Sequence, residues 1–183
     1  MNGYVIWLTG LSAAGKSTIG KLVAAELEQR GAVVDVLDGD VVRTHLSKDL
    51  GFSKEDRDRN IARIGWVASR LARAGAVVVV SAISPYREAR RNARALVEEH
   101  ARFVEVYVAT SIEECERRDP KGLYAKARSG EIAEFTGVSD PYEPPEHAEL
   151  EIHTEDRAPE ESAQLVLGRL VELGLLARAE AVA

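Results

Sequence analysis

Apolar and polar residues fall into short blocks along this chain, and the period changes from block to block. Tyr4-Val-Ile-Trp-Leu-Thr9 is a continuous apolar run that stops at Gly10, the pattern of a parallel strand buried on both faces. Between Ser17 and Arg30, Ile19, Leu22, Val23 and Leu27 recur at helical spacing, and Gly31 closes that helix. A second strand covers Ala32 to Leu37 and runs into Asp38-Gly-Asp40. Ile61, Ile64, Val67, Ala68 and Leu71 predict one face of a long helix from Glu55 to Ala74, capped by Ser53 and ended by Gly75. Four consecutive valines make Ala76 to Ala82 the most apolar strand and assign it to the sheet centre. Pro85 is placed to open a helix to His100, with Ser84 as its cap. Phe103 to Ala109 is a fourth strand, followed by a short helix through Arg118. From Asp119 to Pro145 periodicity fades among Gly, Pro and charged residues, which predicts a mobile excursion. Leu150 to His153 is a short last strand and Pro159 to Leu176 a closing amphipathic helix.

Strands alternating with helices predict an α/β fold: a doubly wound, mostly parallel sheet of about five strands with helices on both faces. We expect one domain over residues 1–183, with the excursion at 119–145 as a lid. In such sheets ligands bind beyond the carboxyl ends of the strands. Gly10–Ser17, Asp38–Asp40 and Ser81–Ser84 all fall there, so three distant polar clusters should meet in one crevice.

Composition narrows the partners. The 183 residues include one cysteine, Cys115, so no internal disulfide forms, which fits a reducing, cytoplasmic setting. No apolar run approaches the roughly 20 residues of a membrane span, and no charged leader precedes an apolar stretch. A net charge of −6 without a basic tail argues against nucleic acid. The four histidines show no metal spacing, and Cys115 and Trp7 read as packing residues. Trp66 is expected to be exposed or at an interface.

Gly10-Leu-Ser12-Ala13-Ala14-Gly15-Lys16-Ser17 matches the phosphate-loop pattern, after a predicted strand and before a predicted helix. Glycines let backbone N–H groups turn onto phosphates, and the helix N-terminus adds partial positive charge. Lys16 would reach the terminal phosphates of ATP, and the Ser17 hydroxyl would hold Mg²⁺. The four-valine strand ends in Ser81-Ala-Ile-Ser84 without the carboxylate that often completes such a metal site. That leaves Asp38 and Asp40, either of which could organise the metal or accept a proton. The guanine-reading Asn-Lys-x-Asp motif is missing, which sets a GTPase aside.

Past the second strand, Arg43 could fork onto an anion, while Asp40 could equally cap a helix through Leu46. Arg57 and Asn60 share a face at the start of the long helix. Arg117, Arg118, Lys121, Lys126 and Arg128 concentrate five cations around the start of the excursion in an otherwise acidic chain. As a lid, this stretch would exclude water and bring cations to the transferring phosphoryl group. Orienting two reactants there could supply about 7–11 kcal/mol of barrier reduction.

Seven blocks in order carry a family resemblance: Gly10 to Thr18, Leu37 to Arg43, Gly51-Phe52 to Asn60, Ile83 to Arg87, Arg118 to Tyr124, Gly130 to Gly137, and Asp140 to Glu143. Together they resemble the adenylylsulfate kinases, which phosphorylate the 3′-hydroxyl of adenosine 5′-phosphosulfate (APS) to give 3′-phosphoadenosine 5′-phosphosulfate and ADP in sulfate assimilation. The resemblance implies ATP as donor and a P-loop kinase fold; of the two strand-end carboxylates, Asp38 is the one expected to hold Mg²⁺ together with Ser17. It implies that Lys16, Asp40 and Ser84 are catalytic, with Asp40 the candidate base and Ser84 a phosphoserine intermediate. Gly10, Ser12, Ala13, Ala14, Gly15, Lys16, Ser17, Thr18 and Arg118 would bind ATP. Arg43, Arg57 and Asn60 would hold the APS anion and sugar, and Phe52 and Phe135 would sandwich its adenine. Ile83 and Ser84 would line the site, and Lys121 would close over it.

A homodimer is also implied. Val41 stands where many members have Asn, Ala82 precedes Ile83 where many have Phe, and Arg59 and Trp66 replace Glu. The Val-Val-Arg and Ser-Ala-Ile-Ser-Pro-Tyr spellings are similar to kinase domains fused to ATP sulfurylase, so association with that enzyme is a further expectation. Two other readings remain open from sequence: a kinase for another hydroxylated anion, and a nucleotide-binding domain without catalysis.

Overall fold

The computed structural model describes residues 3–178. Its strands are β1 (Tyr4–Thr9), β2 (Val34–Asp38), β3 (Val77–Ser81), β4 (Arg102–Val108) and β5 (Leu150–Ile152). All neighbours pair in parallel, in the order β2-β3-β1-β4-β5. The helices are α1 (Lys16–Gln29), α2 (Gly39–His45), α3 (Lys54–Arg73), α4 (Arg87–Glu98), α5 (Ile112–Arg118), α6 (Leu123–Arg128) and α7 (Pro159–Glu172).

Side-chain alternation along the strands divides the core in two. Tyr4, Ile6, Leu8, Val77, Val79, Val104 and Val106 pack with α1 and α7. Val5, Trp7, Val78, Val80 and Phe103 pack with α3 and α4 on the other face. Both faces are covered, which is why β1 and β3 are buried throughout and apolar up to their last residues, Thr9 and Ser81. The four-valine strand is not the middle one, however. β1 is, with β3 one place away, because an all-apolar run reports two covered faces and not a position in the order.

The caps sharpen the boundaries. Ser53 caps α3 as expected, accepting from the Asp56 N–H at 3.2 Å. Asp38, not Asp40, caps α2, accepting from the Asp40 N–H at 3.0 Å. Ser84 caps nothing: α4 starts at Arg87 with Tyr86 at its N-cap and no side-chain cap bond. Ser84 precedes Pro85, a position where the proline ring disfavours helical backbone, and it lies at φ 44.

The excursion after α5 is also more ordered than its composition predicts. Tyr124 on α6 is 2% exposed, and its hydroxyl donates to the Ser12 carbonyl at 3.0 Å. Phe135 meets the Tyr124 ring edge-on with 5.0 Å between centroids. Trp7 is fully buried and stacks on Phe103, Cys115 is buried, and Trp66 is exposed. Among the described residues no helix is long and apolar enough to cross a membrane.

Candidate active site

β1 ends at Thr9, and the chain turns at Gly10 (φ 148), where a Cβ would lie 2.4 Å from the Val108 carbonyl oxygen. Only glycine fits both that backbone and that contact. Ala13 (φ 60) and Gly15 (φ 107) continue the turn, so the loop wraps on itself before α1 begins at Lys16. Such alternation of hands points successive N–H groups into one concavity. Lys16 is 8% exposed and donates from Nζ to the Leu11 carbonyl at 2.5 Å. Burial pulls its ammonium down to about 8, although Cys115, Asp38 and Asp40 favour the charge and Lys121 opposes it. Thr18 follows in the first turn of α1.

The three polar clusters do meet. Ser17 Oγ donates to Asp38 Oδ2 at 2.5 Å, Ser81 Oγ to the Lys16 carbonyl at 3.3 Å, and Thr9 Oγ1 to the Ile83 carbonyl at 2.7 Å. Ser17 and Asp38 thus place two hard oxygen donors side by side at the end of the phosphate loop. That donor chemistry suits Mg²⁺, which commonly takes one or two protein ligands and completes its shell with phosphates and water. Asp40 sits in the first turn of α2 with its side chain 72% exposed. It forms an ion pair with Lys121, which reaches it from the segment joining α5 to α6.

Arg43 lies 4.3 Å from the centroid of the Phe52 ring and donates to the Gly51 carbonyl at 2.9 Å. Phe52 is 60% exposed, an open aromatic residue beside a cation. Asn60 is 6% exposed, and its buried Oδ1 has no hydrogen-bond partner, a group that a ligand could satisfy. Arg57 is spent differently. It donates to the Phe52 carbonyl at 2.7 Å, to Thr136 Oγ1 and to the Glu134 carbonyl, and lies 3.5 Å from Asp140. It therefore ties the Phe52 loop to the segment carrying Phe135. The Ser84 hydroxyl is buried, accepting from Trp7 Nε1 at 3.0 Å and donating to the Ala82 carbonyl at 3.1 Å.

Of the five clustered cations, only Lys121 reaches a carboxylate of the crevice. Arg117 and Arg118 pair with Glu114, Arg128 with Glu116, and Lys126 with Glu131. Arg118 also donates to Thr154 Oγ1 at 2.9 Å and approaches the Ala14 carbonyl at 3.5 Å, so it flanks the phosphate loop.

The sequence pattern assigns no role to Arg90, Glu105 or Tyr142, the last of them inside the Asp140–Glu143 block, and these three form a network behind Ile83 and Ser84 in which Arg90 and Glu105 are buried. The signal was available. Arg90 shares the buried stripe of α4 with Ala93 and Val97, and Glu105 interrupts an apolar strand, so each needed a partner.

A family model described as adenylylsulphate kinase matches residues 2–153. The adenylyl-sulfate kinase of Microcystis aeruginosa is 54% identical over 180 residues, covering 98% of each chain. The Mycobacterium tuberculosis APS kinase, solved with AMPPNP and APS, superposes with a TM-score of 0.90 at 46% identity, covering 93% of this chain and 98% of that one. A hexameric APS kinase from Thiobacillus denitrificans gives a TM-score of 0.75 at 37% identity, and the match covers 97% of this chain but 30% of the longer one.

Proposed function

The chain belongs to the adenylylsulphate kinase family, and on that premise we propose how its crevice moves the γ-phosphoryl group of ATP to the 3′-hydroxyl of APS. The observation that carries the assignment of roles is the Lys121–Asp40 pair, set just past the Ser17–Asp38 pair at the end of β2. It brings donor loop, metal donors, an exposed carboxylate and a lid cation into one line of groups.

The loop from Gly10 to Thr18 cradles the ATP phosphates, with Lys16 on the terminal ones, and Arg118 lies on the base side. Ser17 and Asp38 would hold Mg²⁺, which would supply neutralisation of the phosphate charge. Asp40, exposed and next to the metal donors, receives the acceptor's proton. Lys121 trades its ion pair with Asp40 for the incoming anion as the lid closes. Excluding water and fixing the two reactants then supply most of the acceleration.

On the acceptor side, Phe52 offers an open ring, Arg43 a cation and Asn60 an unmet polar atom, with Ile83 and Phe135 completing the lining. Arg57 supports this site by clasping the Phe52 loop to the Phe135 segment as well as by its charge. The Ser84 hydroxyl is already committed to Trp7 and Ala82. Direct in-line transfer to the sugar therefore fits better than a phosphoserine, and Ser84 acts through its backbone position.

The proposed unit is one domain over residues 1–183 with a lid at about 119–145. The proposed assembly is a homodimer in the cytoplasm, able to associate with ATP sulfurylase. The long Thiobacillus chain, of which this domain matches under a third, supports the idea that such domains work beside others. Sedimentation distinguishes a dimer from a hexamer. The function is tested by ADP release across an acceptor panel of APS, gluconate, shikimate and nucleotides with ATP and Mg²⁺. APS should turn over fastest, and no ADP above background with APS would end this reading.

A further inference from the structure

We infer that Arg90 is a positioning residue for the acceptor site, locking the Ile83–Ser84 turn and the returning end of the lid into one rigid unit. This rests on the reading that Ile83 and Ser84 line the acceptor site.

Every arm of the buried Arg90 guanidinium is used. Nε donates to Glu105 Oε1 at 2.8 Å, Nη1 to the Ser84 carbonyl at 2.6 Å, and Nη2 to the Glu143 carbonyl at 2.6 Å. The residue is 3% exposed, and its guanidinium carbon lies 5.7 Å from the Tyr142 ring centroid. A planar fork with fixed directions suits such a junction, and a lysine could not reproduce it.

The two carbonyls it grips belong to segments that otherwise have reason to move. Ser84 sits at φ 44, an unfavourable backbone for a non-glycine residue. It stays there because its oxygens are held from both sides: Oγ by Trp7 Nε1, and the carbonyl by Arg90. Glu143 is the end of the excursion. Its N–H donates to the Pro85 carbonyl at 2.8 Å, and its carboxylate accepts from the Arg87 N–H at 2.8 Å. Tyr142 extends the junction to β1. The single Thr9 hydroxyl proton goes to the Ile83 carbonyl, so the Tyr142 hydroxyl, 2.9 Å away, donates to Thr9 Oγ1.

Glu105 supplies the counter-charge from β4, and its own backbone N–H donates to Glu149 Oε2 at 2.6 Å. The junction is therefore anchored in β4, an inner strand of the sheet, rather than in the loops it controls. A buried ion pair adds little net stability over apolar residues, so a geometric role explains its presence better than a stabilising one.

Arg90→Lys keeps the charge beside Glu105 and loses the fork. Arg90→Met combined with Glu105→Leu removes the pair together and leaves no orphaned buried carboxylate. In both, the KM for APS should rise by about tenfold or more, as expected for losing a charge-assisted hydrogen bond that orders the site, while ATP affinity stays within about twofold. In a Trp66→Phe background, the emission of Trp7 should also shift, because its partner Ser84 is released. Loss of thermal stability alone, with an unaltered KM for APS and unaltered Trp7 emission, would overturn the proposal. So would a parallel loss of ATP affinity. If the double variant does not fold, Arg90→Lys decides the matter by the same readings. Ile83→Ala serves as the separate control: an unchanged KM for APS there removes the acceptor-lining reading, whereas a raised KM with wild-type behaviour in Arg90→Lys removes only the role of Arg90.

Discussion

Raising the pH from 7 to 9 should weaken ATP binding by about tenfold through Lys16 alone. In the free protein this lysine is buried in its own loop and titrates at about 8 instead of the usual 10.5. The cost of burying the ammonium outweighs the pull of Cys115, Asp38 and Asp40. A bound triphosphate reverses that balance and holds the lysine protonated well above pH 9. Free protein at pH 7 therefore carries the binding-competent ammonium about nine-tenths of the time, and at pH 9 about one-tenth, a difference of about 1.4 kcal/mol. Phosphate groups have already lost their protons across this window, since their second pKa lies near 6. Calorimetric titration at pH 9 in two buffers of different ionisation enthalpy should show uptake of about 0.9 proton per ATP bound. Equal affinities at the two pH values with no proton uptake would refute the reasoning. The same shift has a stability consequence of fixed sign. The folded-state value lies below the unfolded one, so the unfolded chain binds more protons between about 8 and 10.5, and this group's contribution to ligand-free stability grows as pH rises through that window.

Asp40→Ala should lower kcat by at least about a hundredfold, the usual scale for a proton acceptor, while sparing ATP binding; unchanged turnover would remove Asp40 as base. Lys121→Ala should raise the KM for APS several-fold with little effect on ATP affinity, read by initial rates with each substrate varied, since its ion pair lies on the acceptor side. Gly10→Ala should abolish ATP binding and lower thermal stability, because its Cβ would meet the Val108 carbonyl at 2.4 Å. Ile64→Ala, in the fully buried face of α3, should cost about 2–5 kcal/mol in denaturant unfolding and leave the kinetic constants of the folded enzyme unchanged.

The phosphate loop and the strand-helix alternation were legible in the sequence because their physics is local. A glycine turn after an apolar run dictates its own backbone, and the apolar period of 3.6 or 2 dictates which faces are buried. That the polar clusters meet followed from knowing that strand ends converge, and Ser17 lies 2.5 Å from Asp38, a choice over Asp40 that the sequence left open. The strand order did not follow, since β1 and β3 have equally apolar faces and only the crossovers decide which lies in the middle. Local reasoning also assigned Ser84 and Asp40 to capping, where proline geometry moved one helix start to Arg87 and Asp38 took the other.

What the tertiary structure alone decided is how the cations are spent. The family resemblance gives Arg57, Arg118 and Lys121 ligands, but nothing in the sequence says which protein groups they or Arg90 engage. In the fold, Arg57 clasps the Phe52 loop to Glu134 and Thr136, Arg118 flanks the phosphate loop, and Lys121 crosses to Asp40. Arg90 is buried against Glu105, a residue fifteen positions away on another element. A long side chain chooses its partner by which acceptors lie within hydrogen-bond reach after the elements have packed. That depends on contacts between distant segments, and no window of sequence contains it.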